Sequence, residues 1–423
     1  MKQDAWWKHT VIYEAYVDKF AGSFTGFREK IDYLENLGIG CIHVLPFFPS
    51  GGVDGGYDVT DYTAVDPRLG TLEDAEAFIV KASKHGIRVI IDLVLNHTSV
   101  EHPWFKEARL SRQNPKRDYY LWSKNGKEYT QAPNAFPNIK SSNWILNPAT
   151  GDFYFATFYP EQADLNWKNP AVEEEIMRIM DFWLGLGVSG FRLDAAGHLA
   201  KRKDTSCKSL PETHEILKRL RAYLETKNAH AVLLAEVHDT LPRMREYFGN
   251  GDECHLVYHF PLAEEIFRAL AENNMRGVPE MTAAASSIPA NCAWAVFLRN
   301  HDELSLATLK EDVRDRVLER FDPERKHRFG TGLAMRLASL LDGDHKKILA
   351  AFRLLLDCPG SPVIYYGDEI GMLNAGVSGK IPDTRAYVRG AFDWHEAVLQ
   401  EKNPDALSAA IARMIRIRRS TFS

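Results

Sequence analysis

Two kinds of segment alternate along the chain. Short runs dense in β-branched and aromatic residues ("TVIYEAY", "GCIHVLP", "IRVIIDLVLNH", "GFRLD", "VLLAEV", "HLVYHF", "WAVFLRN", "SPVIYYGDE") are separated by stretches with apolar residues at helical spacing, such as "FREKIDYLENLG", "LEDAEAFIVKASKHG", "ETHEILKRLRAYLE" and "KKILAAFRLLLDCPG". The first kind predicts strands buried on both faces and the second predicts amphipathic helices. Eight strand-like runs alternating with helices predict parallel βα units, and eight units argue for a closed barrel over an open sheet. The expected fold class is α/β, a (β/α)8 barrel.

One connection breaks this rhythm. Between "DLVLNH" and a helix expected to begin near Asn169 lie about 70 residues rich in Trp, Tyr, Phe, Pro and Asn, and a connection that long in a compact fold is usually functional. The expected organisation is a first part of the barrel over 1–97, an inserted domain over 98–169 and the rest of the barrel over 170–423.

Composition narrows the partners. The 423 residues are 45% hydrophobic and 26% charged, with a formal net charge of −5 and a pI near 6.3. Nucleic acid and anionic membrane surfaces are therefore not expected partners; the basic run "RMIRIRRS" reads as one face of an amphipathic helix. Five scattered cysteines (Cys41, Cys207, Cys254, Cys292, Cys358) lack paired metal spacing and read as reduced thiols of a cytoplasmic protein. No apolar run approaches the roughly 18–20 residues that span a bilayer.

Four predicted strands end in polar residues: "DLVLNH" in Asp92, Asn96 and His97, "FRLDAAGH" in Arg192, Asp194 and His198, "LLAEV" in Glu236, and "FLRNHDE" in His301 and Asp302. Residues i and i+2 of a strand share a face, so Arg192 and Asp194 lie side by side. Strand tips at the C-terminal face of a barrel converge above its core, which brings Asp194, Glu236 and Asp302 to one cavity. Like charges that close raise at least one pKa. Two carboxyls flanking a bond, one acid and one nucleophile, are what retaining glycoside hydrolysis requires. Arg192 predicts an ionised Asp194, whereas Glu236, with no cation beside it in sequence, is the expected holder of a proton. His97 and His301 offer N–H donors to sugar hydroxyls, and Tyr57 and the insertion's aromatics offer stacking faces. For any single insertion aromatic a local core is the expected place, and Asn96 and His238 read as satisfied polar residues at strand ends.

With these motifs in this order, the chain resembles the α-amylase superfamily, glycoside hydrolase family 13. The resemblance implies Asp194 as nucleophile, Glu236 as acid/base and Asp302 as the carboxylate that grips the sugar in the transition state. It also implies that His97, Arg192 and His301 line the same subsite and that Tyr57 stacks beneath its sugar. The stretch "VDGGYDVTDYTAVDPRLGTLEDAEAF" is similar to the exo-acting α-glucosidase and trehalose synthase branches. There an aspartate three residues before the tyrosine and an arginine five residues before a late tryptophan close the pocket, which implies an ion pair of Asp54 with Arg389.

"LPFFPS", "NHTSVEHPWFKEAR", "LPETHEILKRLR", "GDECHLVYHFPL" and "PVIYYGDEIGM" are similar to bacterial trehalose synthases, which interconvert maltose and trehalose by glucosyl transfer. The chain departs from that pattern in several places. The shorter "AGSFTGF" stands where many relatives have an aspartate-rich calcium loop. Lys201 replaces a glutamate calcium ligand, so that Asn96 and Asp164 are expected to bridge to its ammonium. His198 stands in place of a tyrosine near the leaving-group side, and no C-terminal β-sandwich domain like that of the relatives is expected in the sequence as given, whether it is a fragment or a natural loss. The expected function is a retaining α-glucosyl enzyme acting on short α-glucosides such as maltose, with a hydrolytic α-glucosidase or an α-amylase-type hydrolase as the alternative. The three carboxylates and the lack of an apolar span argue against a non-catalytic carbohydrate-binding or transporter-accessory role. A sugar is the expected partner, with homo-oligomerisation left open, and neither cofactor nor metal is expected.

Overall fold

Eight parallel strands close into a barrel in the computed structural model, which describes residues 5–377, 381 and 383–422. They are β1 (Ile12–Ala15), β2 (Cys41–Val44), β3 (Arg88–Val94), β4 (Gly190–Asp194), β5 (Val232–Ala235), β6 (Leu256–Tyr258), β7 (Ala293–Phe297) and β8 (Ser361–Tyr365), and β8 returns to pair with β1. Apart from half-buried Arg88 every strand residue is buried, as strands covered by helices outside and filled inside must be. The register sets Glu14 beside His43 and Asp92 beside Arg192, so the charged positions sit level with one another at the C-terminal end.

Two glycines permit the close approach of neighbouring strands. A Cβ on Gly190 (φ 145°) would lie 2.2 Å from the carbonyl oxygen of Val232, and one on Gly360 (φ 110°) would lie 2.3 Å from that of Trp294. No side chain is accommodated at either point.

The helices follow the predicted periodicity and carry their own start signals. Leu72–Lys84 begins with a capping box between Thr71 and Asp74, Pro170–Gly185 with the Asn169 cap and a proline in its first turn, and His345–Asp357 with the Asp344 cap. The basic run near the end lies in the helix Leu407–Phe422, whose Ile411 and Ile415 are buried. Arg418 turns inward there and donates to the carbonyls of Cys358 (2.8 Å) and Gly360 (2.6 Å), just past the end of His345–Asp357. That places a cation where helix carbonyls lack partners.

Between β3 and Pro170 the chain forms a three-stranded antiparallel sheet, in the order Trp122–Ser123, Asp152–Phe155, Trp144–Asn147, joined to the barrel by the pair His97–Ser99 and Gln162–Asp164. Its aromatics mostly pack on one another: Phe105 stacks on Trp122 and Tyr129 on Trp144. Phe136 and Phe158 reach the cavity above the barrel instead. All five cysteines are buried free thiols, and among the described residues no helix is long and apolar enough to cross a membrane.

Candidate active site

The site is built on the C-terminal tips of β4, β5 and β7. Asp194 is the last residue of β4, and the next residue, Ala195, takes a left-handed conformation (φ 47°, ψ 37°) that non-glycine residues rarely adopt. The chain turns so sharply there that the Ala195 N–H points at Glu236 Oε2, 3.5 Å away on the strand-end of β5. Strain of this kind persists where surrounding contacts hold it.

Arg192, 1% exposed inside the barrel, serves three carboxyls with one guanidinium. Nη1 donates to Asp194 Oδ1 (2.8 Å) and to Asp92 Oδ1, and Nη2 to Glu236 Oε1 (2.9 Å). The sequence-based expectation of a cation reserved for Asp194 is therefore corrected, because β5 pairs alongside β4 and brings Glu236 to the same guanidinium. Burial pushes the Asp194 carboxyl well above the usual carboxylate range; Arg192 opposes this, and the neighbouring charges of Glu236 and Asp92 reinforce it. Arg192 thus stands beside Asp194 as the sequence implies, while burial and the neighbouring carboxyls work against the ionised form it favours.

Asp302 is the electrostatic opposite. Against the upward push of burial, His301, Arg385 and Arg389 hold its carboxyl far below the usual range. Arg389 Nη2 lies 2.7 Å and Arg385 Nη1 3.1 Å from Oδ1, and His301 Nε2 lies 3.4 Å from Oδ2. Tyr57 is buried with its hydroxyl 2.8 Å from His301 Nε2 and its ring stacked on that imidazole.

The closing ion pair is present with a different arginine. Asp54 Oδ1 accepts from Arg385 Nη2 at 2.7 Å, and its Oδ2 accepts from Gln162 Nε2 at 3.2 Å. Arg389, expected to close the pocket, instead points its Nε at the His301 carbonyl (3.0 Å) and its Nη2 at Asp302. The reason is local: Thr384–Val388 form a single tight turn capped by Asp383, which turns Arg385 inward to 5% side-chain exposure. From there it also meets Tyr159 of the insertion (3.1 Å) and Asp383 (2.7 Å).

These groups surround a cavity of about 230 Å³, small beside the roughly 300–1,000 Å³ of sites for drug-sized ligands. Of the residues singled out from sequence, Asp54, Tyr57, His97, Asp194, His198, Glu236 and Asp302 line it. Arg192, His301 and Arg389 do not; they stand behind the wall and hold the residues that do. His97 is neutral, its pKa lowered by burial, and its Nε2 lies 3.2 Å from the Tyr57 carbonyl. His198 is pushed down to about 3 by burial with help from Lys201 and Lys208, so it too faces the cavity uncharged.

Among the lining residues that sequence reasoning missed are Arg385, Glu303, Lys208 and the pocket-facing Phe136. Glu303 directly follows Asp302, and burial together with that neighbouring charge raises its carboxyl to about 7. His238 is both a satisfied strand-end residue, with Nε2 2.7 Å from Glu264 Oε1, and a lining residue.

Lys201 is placed as its replacement of a carboxylate implied. Its ammonium donates to Asn96 Oδ1 (2.8 Å), Asp164 Oδ2 (2.8 Å) and the carbonyl of His198, three oxygens of the kind a hard cation takes. The position where the resemblance implies a calcium ion is thus held by an ammonium. Among the described residues the one group of carboxylates and histidine compact enough to hold a metal is Asp32, Glu35 and His85 on the outer surface.

The family model "Alpha amylase, catalytic domain" matches residues 5–322. The chain is 43% identical over 378 residues to the trehalose synthase/amylase TreS of Mycobacterium tuberculosis, covering 87% of this chain and 63% of that one. It is 44% identical over 379 residues to the trehalose synthase of Thermus thermophilus, covering 87% of this chain and 39% of that one. The chain thus spans less than two thirds of the length of these relatives. Among solved structures, a variant of the trehalulose synthase MutB in complex with Tris superposes with a TM-score of 0.79 at 25% identity, over 98% of this chain and 84% of that one.

Proposed function

The chain belongs to the α-amylase family, and from that premise we propose that it is a retaining α-glucosyl-transferring enzyme that moves single glucosyl units of short α-glucosides such as maltose, in the manner of a trehalose synthase. The observation that carries this reading is one guanidinium, Arg192, bridging Asp194 and Glu236 at the base of a small cavity closed by the Asp54–Arg385 ion pair. A pocket closed beyond one sugar selects terminal residues over the interior of a polymer.

In the proposed reaction an Asp194 oxygen attacks the anomeric carbon while Glu236 gives its proton to the departing glycosidic oxygen, leaving a glucosyl ester on Asp194. In the second step Glu236 takes the proton of an acceptor hydroxyl, whose oxygen attacks the same carbon and frees the Asp194 carboxylate. Asp194 has to attack as the carboxylate, the form that its contact with Arg192 favours. Asp302, kept anionic by two arginines, suits the positive charge that develops on the sugar in the transition state. Isomerisation requires the freed glucose to stay and water to stay out, which the Tyr159 and Asp383 contacts of Arg385 favour by tying the insertion to the barrel rim.

The test is incubation of the purified chain with maltose, trehalose and sucrose separately, followed by anomeric proton NMR, with Asp194→Asn as control. Trehalose formed from maltose with little free glucose is the expected result, and the control is expected to lose activity by on the order of 10⁴-fold. Glucose as the main product makes the chain a hydrolytic α-glucosidase. Turnover of none of the three overturns the substrate assignment.

A further inference from the structure

Below the cavity, inside the barrel, lies a layer of ionisable groups that the proposed reaction does not use. Its centre is His43 on β2, fully buried with both ring nitrogens engaged. Nδ1 lies 3.3 Å from Glu14 Oε2 on β1, and Nε2 lies 3.0 Å from Asp92 Oδ2 on β3. Both partners are buried too.

Each carboxylate has a second duty. Asp92 Oδ1 accepts from Arg192 Nη1, the same nitrogen that meets Asp194. Glu14 Oε1 accepts from both the backbone N–H (3.0 Å) and Nδ1 (2.9 Å) of His301, and its Oε2 accepts from the Tyr258 hydroxyl (2.9 Å) on β6. Among the described residues the Tyr57 hydroxyl also comes near, 3.5 Å from Asp92 Oδ2, and the buried Asp368 carboxyl just past β8 acts on Glu14 as a like charge. Every donor around Glu14 and Asp92 therefore treats them as acceptors, as ionised carboxylates are. An imidazole between two such acceptors has a lone pair facing an oxygen unless both nitrogens carry hydrogen. Arg192 is shared with Asp194 and Glu236, so it cannot by itself compensate the buried Glu14 and Asp92, and an uncompensated charge is costly in a barrel interior.

We propose that His43 is a positioning residue for the glucosyl transfer: an imidazolium wedged between Glu14 and Asp92 that keeps Arg192 and His301 in place beneath Asp194, Glu236 and Asp302. The inference rests on the proposed function for the reaction it serves, and on geometry alone for the charge. The electrostatics agree. Burial favours the neutral ring, but Asp92 and Glu14 lift the imidazole to about 9, while Glu14 and Asp92 are themselves held below the usual carboxylate range despite burial. Two routes then run upward from one charge, through Asp92 to Arg192 and through Glu14 to His301, and both end on a carboxyl of the cavity.

Two measurements test it. Nitrogen-15 NMR of histidine-labelled protein is expected to show both His43 ring nitrogens protonated throughout about pH 6–8, where a histidine of unperturbed pKa is mostly neutral at the upper end. A neutral tautomer at pH 7 overturns the proposal whatever the substrate proves to be. In the second, His43→Gln is expected to lower kcat about 10- to 100-fold, as loss of an outer-layer partner does elsewhere, with little change in KM.

The acid limb of the His43→Gln pH profile moves upward, because Glu14 or Asp92 then holds a proton until higher pH, and His43→Lys, which restores the charge, brings the limb back toward wild type. A His43→Gln protein with wild-type kcat and acid limb, or a lysine variant no better than glutamine, overturns the positioning role. If wild type turns over none of the sugars, the proposed function fails separately, and the shift of the His301 resonance in folded His43→Gln decides the positioning role. Should His43→Gln not fold, the nitrogen shifts of the native protein decide the charge, and the lysine variant's profile decides the role.

Discussion

Arg385 shows how a site turns on a single side chain. Its guanidinium is shared by Asp54, Asp302, Asp383 and Tyr159, so it joins the β2 loop, the tip of β7 and the insertion. Arg385→Ala is expected to raise KM for a short α-glucoside by roughly 10- to 100-fold, the equivalent of about 1.4–2.8 kcal/mol, and to increase the hydrolysed share of product as the rim opens to water. Arg385→Lys is expected to recover little, since an ammonium cannot span three carboxylates in a planar fork. The product ratio by NMR and the KM measure both. The three carboxylates were readable in the sequence because each sits in a short motif at a strand end. Which of two arginines four residues apart meets Asp54 was not readable, since that depends on a single turn at Thr384–Val388. Likewise, no sequence spacing shows that Arg192 is shared by Asp194 and Glu236, which come from different strands.

Among the elements, strands and helices were the most readable, because their periodicity repeats over enough residues to be counted. "GFRLD" forms β4 over its whole length, and "LEDAEAFIVKASKHG" supplies the helix Leu72–Lys84 with its capping box. The insertion's strands were not readable, being two to four residues long and set by packing among aromatics. Lys201 links these two worlds, holding Asp164 of the insertion's root and Asn96 at the end of the β3 segment. Lys201→Met leaves Asp164 buried without its cation and is expected to cost about 3–5 kcal/mol, read as a lowered melting temperature. Lys201→Glu crowds two carboxylates together. Its melting temperature is expected to rise on adding calcium, whereas that of the wild type is expected to stay put.

For the molecule as a whole, stability is expected to carry a pH signature from outside the site. Glu369, following β8 and fully buried, accepts from the hydroxyls of Tyr13 (2.8 Å) and Tyr33 (2.9 Å), and burial raises its carboxyl to about 7. Between the ordinary glutamate value and 7 the folded chain keeps a proton that the unfolded chain has lost, so stability falls as pH rises through that window, by at most about 3 kcal/mol. Glu369→Gln keeps the acceptor and removes the titration. Its melting temperature is expected to match wild type near pH 4.5 and to exceed it at pH 8.

The sequence by itself determined the barrel, the place of the long insertion and the meeting of Asp194, Glu236 and Asp302 at one cavity, since alternation and strand-end motifs are local and repeat along the chain. Only the tertiary structure decided how charge is distributed among them: a guanidinium serving three carboxyls, a pocket closed by Arg385 and an imidazole between two acids. A pKa and an ion pair depend on distance and burial across strands far apart in sequence, and those quantities come into being only when the barrel closes.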